Sequence, residues 1–232
     1  MSLQEIQRIV RRGEGEQLEF KRKVAHPNKI IREIVAFANT RGGSLLIGVD
    51  DNGAIPGVRS AEEERYGLEK AIQQWCRPSI DYDVEVIPVS GQKSVIHYKI
   101  HEGQRKPHYV LRSAFPEVNS TASPAKKFKG RAYVRYEDQS LQASSEVWQI
   151  LRRSRKDKDV KFHFGEKERV LMEYLEENSQ ITVNQFARLV NESRYRASRT
   201  LILLVLANVL RIIPKEKEDT YVLKHRSGHL VR

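Results

Sequence analysis

The stretch AFANTRGGSLLIGVDDNG, residues 36–53, determines most of what can be predicted about the fold. Its first residues are the end of segment 29–40, where apolar residues recur at helical spacing and predict an amphipathic helix. Two glycines then allow a sharp turn into 44–49, a nearly all-apolar run that is typical of a strand buried on both faces. The Asp-Asp-Asn-Gly turn at 50–53 leads to a second predicted strand over 54–58.

On either side of this stretch, helical and strand patterns continue as far as residue 153. Residues 111–130 lose this periodicity and gather Pro, Ser, Asn and Lys, as in a surface loop. Further helices are predicted at 3–12, 61–75 and 144–153, and further strands at 17–24, 84–88, 94–100 and 131–136. Together these elements predict a domain that combines helices and strands over residues 1–150.

The rest of the chain has a different order of elements, with three short helical segments followed by two short strands. Thr182 and Ser193 stand where they can cap the second and third of these helices. The predicted helices are 166–177, 182–190 and 193–208, and the predicted strands are 210–213 and 220–224. This order is typical of a small winged helix-turn-helix domain, which we place at 164–232 after a charged linker at 151–163.

The composition excludes several classes of protein. The 232 residues are 39% hydrophobic and 31% charged, which is enough apolar material for a core and argues against wholesale disorder. Since no apolar run approaches the ~18 residues of a membrane span, we expect no membrane association. Cys76 is the one cysteine, so an internal disulfide is excluded and a cytoplasmic location is expected.

The charge of the chain favours a polyanionic partner. Lys and Arg number 41 against 30 Asp and Glu, and residues 151–232 alone carry a net charge of +7. In a helix-turn-helix the second helix of the pair enters the major groove, with its N-terminal residues foremost. The predicted contacts with duplex DNA are Arg194, Arg196, Arg199 and Thr200 on that helix, and Lys215 and Lys217 on the wing. We therefore predict a DNA-binding regulator rather than an enzyme.

Two alternatives come from the same residues. The basic side chains can form a solvated face on a helix that serves packing, and acidic residues in the wing loop oppose contact with phosphate. The run Leu201–Leu206 is apolar all round and needs covering on every side. Either packing within the chain or a homodimer would cover it, and the second case suggests a module that binds protein.

Several segments of the first domain resemble the Schlafen AlbA-like family, once described as divergent ATP-binding domains. Residues 14–21 resemble the family's E-x-x-x-x-E-F-K opening, and residues 36–53 match its signature almost residue for residue. Lys106–Tyr109 and Tyr133–Arg135 are similar to its later segments. The likeness covers about Glu14–Ala143.

The resemblance implies a mixed α+β domain of bacterial transcriptional regulators, often followed by a winged helix. It also implies a metal-dependent ribonuclease site, because Glu14, Glu19 and Asp50 match the family's catalytic carboxylates, with Asp51 as a substitute for Asp50. Three such carboxylates could hold Mg²⁺ or Mn²⁺, and Lys21 could offset charge on the leaving oxygen. No other cofactor is indicated.

An ordinary structural role for the same carboxylates is equally concrete. Glu14 can be a surface residue, Glu19 can pair with Lys21 or Arg135, and the Asp50–Gly53 turn can simply shape the chain. The family was once described as ATP-binding, but this sequence has no P-loop. Residues 41–44 lack the spacing and the lysine of Gly-Lys-Ser/Thr. Nucleotide binding by another kind of site stays open.

Overall fold

The structure, a computed structural model, describes residues 1–115, 130–154 and 164–224. The chain divides into two compact units, Met1–Gln142 and Ala143–Arg232. Their mixture of helices and sheets confirms the predicted α+β class. Most of the predicted loop at 111–130 and of the predicted linker at 151–163 lies outside the described residues. Among the helices of the described ranges, none is both long and apolar enough to cross a lipid bilayer.

The first unit is built around a four-stranded mixed sheet. Its elements are α1 (Leu3–Val10), β1 (Leu18–Lys21), α2 (Pro27–Asn39), β2 (Gly43–Ile47), α3 (Ala61–Trp75), β3 (Cys76–Arg77), β4 (Tyr82–Ser90), β5 (Lys93–Ile100), β6 (Tyr109–Leu111), β7 (Gly130–Arg131), β8 (Tyr133–Tyr136) and β9 (Gln139–Gln142). The strand order is β1-β2-β5-β4, with β1 parallel to β2 and the other neighbours antiparallel. Two small sheets, β3-β6-β7 and the hairpin β8-β9, complete the unit.

Strand β2 is buried on both faces, as its apolar sequence predicts. Leu45, Leu46 and Ile47 expose none of their surface. Leu46 belongs to a cluster with Ile6 of α1, whereas Leu45 and Ile47 belong to the main core formed with α2 and α3. Successive side chains therefore serve two different layers, which is the alternation expected of a strand.

The two glycines between α2 and β2 are required by close packing. Gly42 has a φ of +71°, and a Cβ atom on it would lie 2.6 Å from the carbonyl oxygen of Ile100. A Cβ atom on Gly43 would overlap the ring of Phe37. This confirms that the pair provides the sharp turn from helix to strand.

The predicted strand at 54–58 is not formed. Backbone hydrogen bonds join Asp50 N to Ala54 O at 2.9 Å and Gly57 N to Gly48 O at 3.0 Å, so the segment closes on its own turn. Only Val58 pairs with the sheet, through an isolated bridge to Ser94. The turn residues were predicted correctly, but the pairing partner beyond them was not.

The second unit contains helices and one two-stranded ribbon in its described residues. The elements are α4 (Ser145–Arg153), α5 (Glu166–Glu177), α6 (Val183–Leu189), α7 (Arg194–Leu206), β10 (Leu210–Ile213) and β11 (Thr220–Leu223). Strands β10 and β11 are antiparallel, and Ile181 adds a bridge to Tyr221 through hydrogen bonds of 3.0 and 2.8 Å. One apolar cluster joins α5, α6, α7 and the ribbon.

Both predicted helix caps are present, but the division of the chain differs from the expected one. The Oγ1 of Thr182 accepts from Gln185 N at 3.2 Å, and the Oγ of Ser193 accepts from Arg196 N at 3.4 Å. Helix α4, predicted as the end of the first domain, groups with the second unit. The reason is its packing on α7, where Ser198 donates to Glu146 at 2.8 Å.

Candidate functional site

Glu14 lies just before β1 and accepts a hydrogen bond from the backbone N–H of Phe20 at 2.8 Å. Burial raises the pKa of its carboxyl above the ordinary value, against the effect of this hydrogen bond. The carboxylates of Glu19 and Asp51 act in the same direction as burial. The charge of Asp51, the substitute for Asp50, therefore acts on Glu14.

Glu19 points away from α1, because its neighbours Leu18 and Phe20 on β1 fill the cluster on the α1 side. Its side chain is 8% exposed, and both of its oxygens have cationic partners. Oε1 accepts from the Nζ of Lys21, and Oε2 accepts from the Nη2 of Arg135 at 2.6 Å. Both of the ion-pair partners considered for Glu19 from the sequence are thus present.

Arg135 on β8 is the centre of a buried polar network. Its side chain is 1% exposed, and its Nη1 donates to Glu33 on α2 at 2.9 Å. Its Nε donates to the carbonyl of Gly15 at 3.0 Å, and its guanidinium lies 5.1 Å from the ring centroid of Phe37. Arg135 therefore ties β1, α2 and β8 together around two carboxylates, which is a structural use of Glu19.

Asp50 lies apart from this network. Its Oδ1 is 3.6 Å from the Nε of Arg22, an exposed side chain. The backbone carbonyl of Asp50 accepts from Gly53 N at 2.8 Å, and Asn52 Oδ1 accepts from Ala54 N at 2.9 Å. Asp50–Gly53 thus forms a hydrogen-bonded turn, as the structural alternative predicts.

The resemblance assigns these carboxylates to a divalent cation. In the part of the chain that the structure describes, no three His, Cys, Asp or Glu side chains are grouped as metal ligands. Both oxygens of Glu19 already accept from Lys21 and Arg135, so a divalent cation would have to compete with these two cations for the carboxylate. The catalytic roles of Glu14, Glu19, Asp50 and Lys21 stay predictions from the resemblance.

Titration with Mn²⁺, followed by thermal unfolding, tests the metal prediction. We expect an unchanged unfolding temperature, because a ligand stabilises a protein only by binding its folded form. A saturable rise that Glu14→Gln abolishes, while Glu16→Gln on the exposed neighbour does not, would contradict this expectation. Such a rise would restore the nuclease reading, and cleavage of structured RNA would then have to depend on Glu14.

The second candidate region is the first half of α7. Ala197 and Leu201 are buried in the core, as predicted, while Arg194, Arg196 and Arg199 are exposed. Tyr195 is 74% exposed as well. The side of α7 away from its packed face therefore presents Tyr195, Arg196 and Arg199, whereas Arg194 lies at the start of the helix beside Glu146 of α4.

The three arginines differ in how freely they can move. Arg194 lies 3.4 Å from the buried Glu146, and Arg196 lies 3.2 Å from Glu192. Arg199 forms no ion pair with another residue of the described ranges. Arg199 is thus the most available of the three cations, and Thr200 beside it is half-buried.

The loop between β10 and β11 carries the two predicted wing lysines. Lys215 and Lys217 are both exposed, and the Nζ of Lys215 is 3.2 Å from Gln180 Oε1. Asp219 is turned inward, where its Oδ1 accepts from the backbone N–H of Lys215 at 3.1 Å. Burial raises the pKa of Asp219 above its ordinary value. The acidic residues of this loop were expected to oppose contact with phosphate. One of them, Asp219, is instead buried and hydrogen-bonded within the loop.

Sequence reasoning did not identify Glu33 or Glu146 as members of these regions. Both are carboxylates on predicted helices, and each contacts its arginine across a long sequence separation. No local sequence pattern distinguishes such a carboxylate from other helix residues. Tyr195, in contrast, could have been predicted as a DNA contact, because it lies between the predicted contacts Arg194 and Arg196.

A family model matches the first unit, and two solved structures are similar to parts of the chain. The chain is similar over 60% of its length to the DIP2311 protein from Corynebacterium diphtheriae, at 17% identity and a TM-score of 0.40, and spans 27% of that protein's chain. It is similar over 59% of its length to the N-terminal domain of a RecG-related protein from Nitrosomonas europaea, at 20% identity and a TM-score of 0.38, covering 89% of that chain. The family model of the Schlafen AlbA_2 domain matches residues 14–144, more than half of the chain. The chain therefore belongs to the Schlafen AlbA_2 family.

Proposed function

We propose that this protein is a DNA-binding transcriptional regulator that contacts duplex DNA through its second unit. Membership of the Schlafen AlbA_2 family indicates a nucleic-acid-related function in general terms. The order of α5, α6, α7 and the β10–β11 ribbon supports a winged helix-turn-helix, and so does the bridge from Ile181 to Tyr221. On this proposal α7 is the recognition helix and the β10–β11 loop is the wing.

The observation that carries the proposal is the exposed basic side of α7. Arg194, Arg196 and Arg199 lie in the first half of the helix, which is the part that reaches base edges in helix-turn-helix proteins. The planar guanidinium group can pair with guanine edges or with phosphate oxygens. The excess of basic residues in 151–232 would strengthen the attraction over a longer range.

The competing function is a module that binds protein. It was suggested by the apolar run Leu201–Leu206 of α7. Leu201, Ile202 and Leu204 are buried within the chain, and Leu203, Val205 and Leu206 are half-buried. Most of this run is therefore already covered without a second subunit. A homodimer stays a prediction, and the first unit would serve assembly, ligand sensing or additional contact with nucleic acid.

An equilibrium titration of fluorescent duplex DNA with the full chain tests the proposal. We expect saturable binding that weakens steeply as salt is added, because contacts to phosphate release condensed counterions. Light scattering on the same samples separates the two functions. A stable dimer that does not bind duplex would favour the protein-binding module.

A further inference from the structure

Helix α4 carries a buried carboxylate directly against α7. Glu146 is 4% exposed, although it lies in the first turn of its helix. Its Oε1 accepts from the Oγ of Ser198 on α7 at 2.8 Å, and its Oε2 accepts from the Oγ of Ser145 at 2.7 Å. These hydroxyl groups stabilise the carboxylate but do not neutralise it, so a negative charge lies beneath the predicted recognition helix.

Arg194 forms an ion pair with this carboxylate. Its Nη2 lies 3.4 Å from the same Oε1 that accepts from Ser198, while its own side chain is 57% exposed. The guanidinium is therefore held at the edge of α7 by a partner that solvent barely reaches. An ion pair with one buried member is screened less by salt than a pair on the open surface.

A second buried carboxylate interacts with Glu146. Asp219 is buried and accepts from the Oγ of Ser144 at 2.5 Å. Glu146 is among the groups that raise the pKa of Asp219, so the two carboxylates act on each other. In the described ranges Arg194 is the side chain that forms an ion pair with either of them.

We propose that Glu146 restrains Arg194 and so weakens the contact of α7 with duplex DNA. This inference rests on the proposed function and assigns to Glu146 the role of a positioning residue. To reach a phosphate, Arg194 must leave a carboxylate that stays buried and would then lack its cation. The restraining carboxylate is carried by α4. This helix begins at Ser145, three residues after β9 ends at Gln142.

The variant Glu146→Gln tests the restraint. Glutamine keeps the shape of the side chain and an oxygen that accepts from Ser198, but removes the charge. Affinity for duplex DNA should rise about five- to tenfold, and the slope of log affinity against log salt should steepen by about one, since one more phosphate contact becomes free. Glu177→Gln, the same charge change at an exposed position of α5, should alter neither quantity.

Arg194 gives an independent measurement that leaves Glu146 intact. If Glu146 restrains it, Arg194→Ala should lower the affinity less than twofold, and Glu146→Gln should have no effect in the Arg194→Ala background. Unchanged or weaker binding by Glu146→Gln, with the parent still binding, would overturn the restraint and leave DNA binding standing. If Arg194→Ala lowered the affinity for duplex DNA as much as Arg199→Ala does, the restraint would also be overturned. Absence of duplex binding by the parent would overturn both proposals.

Discussion

Replacing Arg196 and Arg199 together by alanine is expected to weaken binding of duplex DNA about a hundredfold, because each arginine contact is worth about 1–3 kcal/mol. Both side chains are exposed on the side of α7 opposite the buried Ala197 and Leu201. The salt dependence should also become shallower, by about one for each lost phosphate contact. Fluorescence anisotropy at several salt concentrations measures both effects at once.

A matched control removes the same charge elsewhere. Arg65→Ala with Arg169→Ala takes two arginines from the exposed surfaces of α3 and α5, where each pairs with glutamates of its own helix. This control should bind duplex DNA within about threefold of the parent, since surface pairs of this kind are worth about 0–1 kcal/mol. Equal losses in both double variants would mean that net charge alone drives binding, and α7 would lose its assigned role.

Replacing Arg135 by methionine should destabilise the first unit by about 3–5 kcal/mol, because it leaves buried carboxylates without their cation. Arg135 is 1% exposed and bonds both Glu19 and Glu33. The two tryptophans allow the units to be followed separately, since Trp75 lies in α3 and Trp148 in α4. In a Trp148→Phe background, fluorescence during urea unfolding reports the first unit.

Two further variants give this experiment its control and its rescue. Arg41→Ala removes an arginine that is 75% exposed and lies 3.8 Å from Glu16, and should change the stability of the first unit by about 0–1 kcal/mol. Adding Glu19→Gln and Glu33→Gln to Arg135→Met removes the uncompensated charges and should recover most of the loss. A stability of Arg135→Met equal to that of Arg41→Ala would contradict the structural use of Glu19.

The elements that could be predicted are those whose signal is local. The apolar run of β2, the paired glycines before it and the caps at Thr182 and Ser193 all act within a few residues. For this reason the order of helices and strands was predicted closely over most of the described chain. The exceptions were 54–58, where Gly57 bonds back to Gly48 and one bridge to the sheet is left, and the short strands β3, β6 and β9, which were not predicted.

The candidate sites were harder to predict, because they depend on which distant charges meet. Arg135 and Glu19 are 116 residues apart, and Ser198 and Glu146 are 52 apart. Sequence position showed which way Glu19 would point from β1, but not whether a metal or an arginine would meet it. Likewise, the pattern of α7 placed Arg196 and Arg199 on its exposed side and Arg194 at its start, without showing that Arg194 would be engaged by α4.

The affinity of the full chain for duplex DNA across a series of salt concentrations tests the central claim most directly. We expect binding at low salt and a linear fall of log affinity with log salt, with a slope of about −3 to −5, as for three to six phosphate contacts at about −0.9 each. An affinity that does not respond to salt would contradict contact through exposed arginines and lysines. Absence of binding even at the lowest salt concentration would contradict the proposal that the second unit binds DNA.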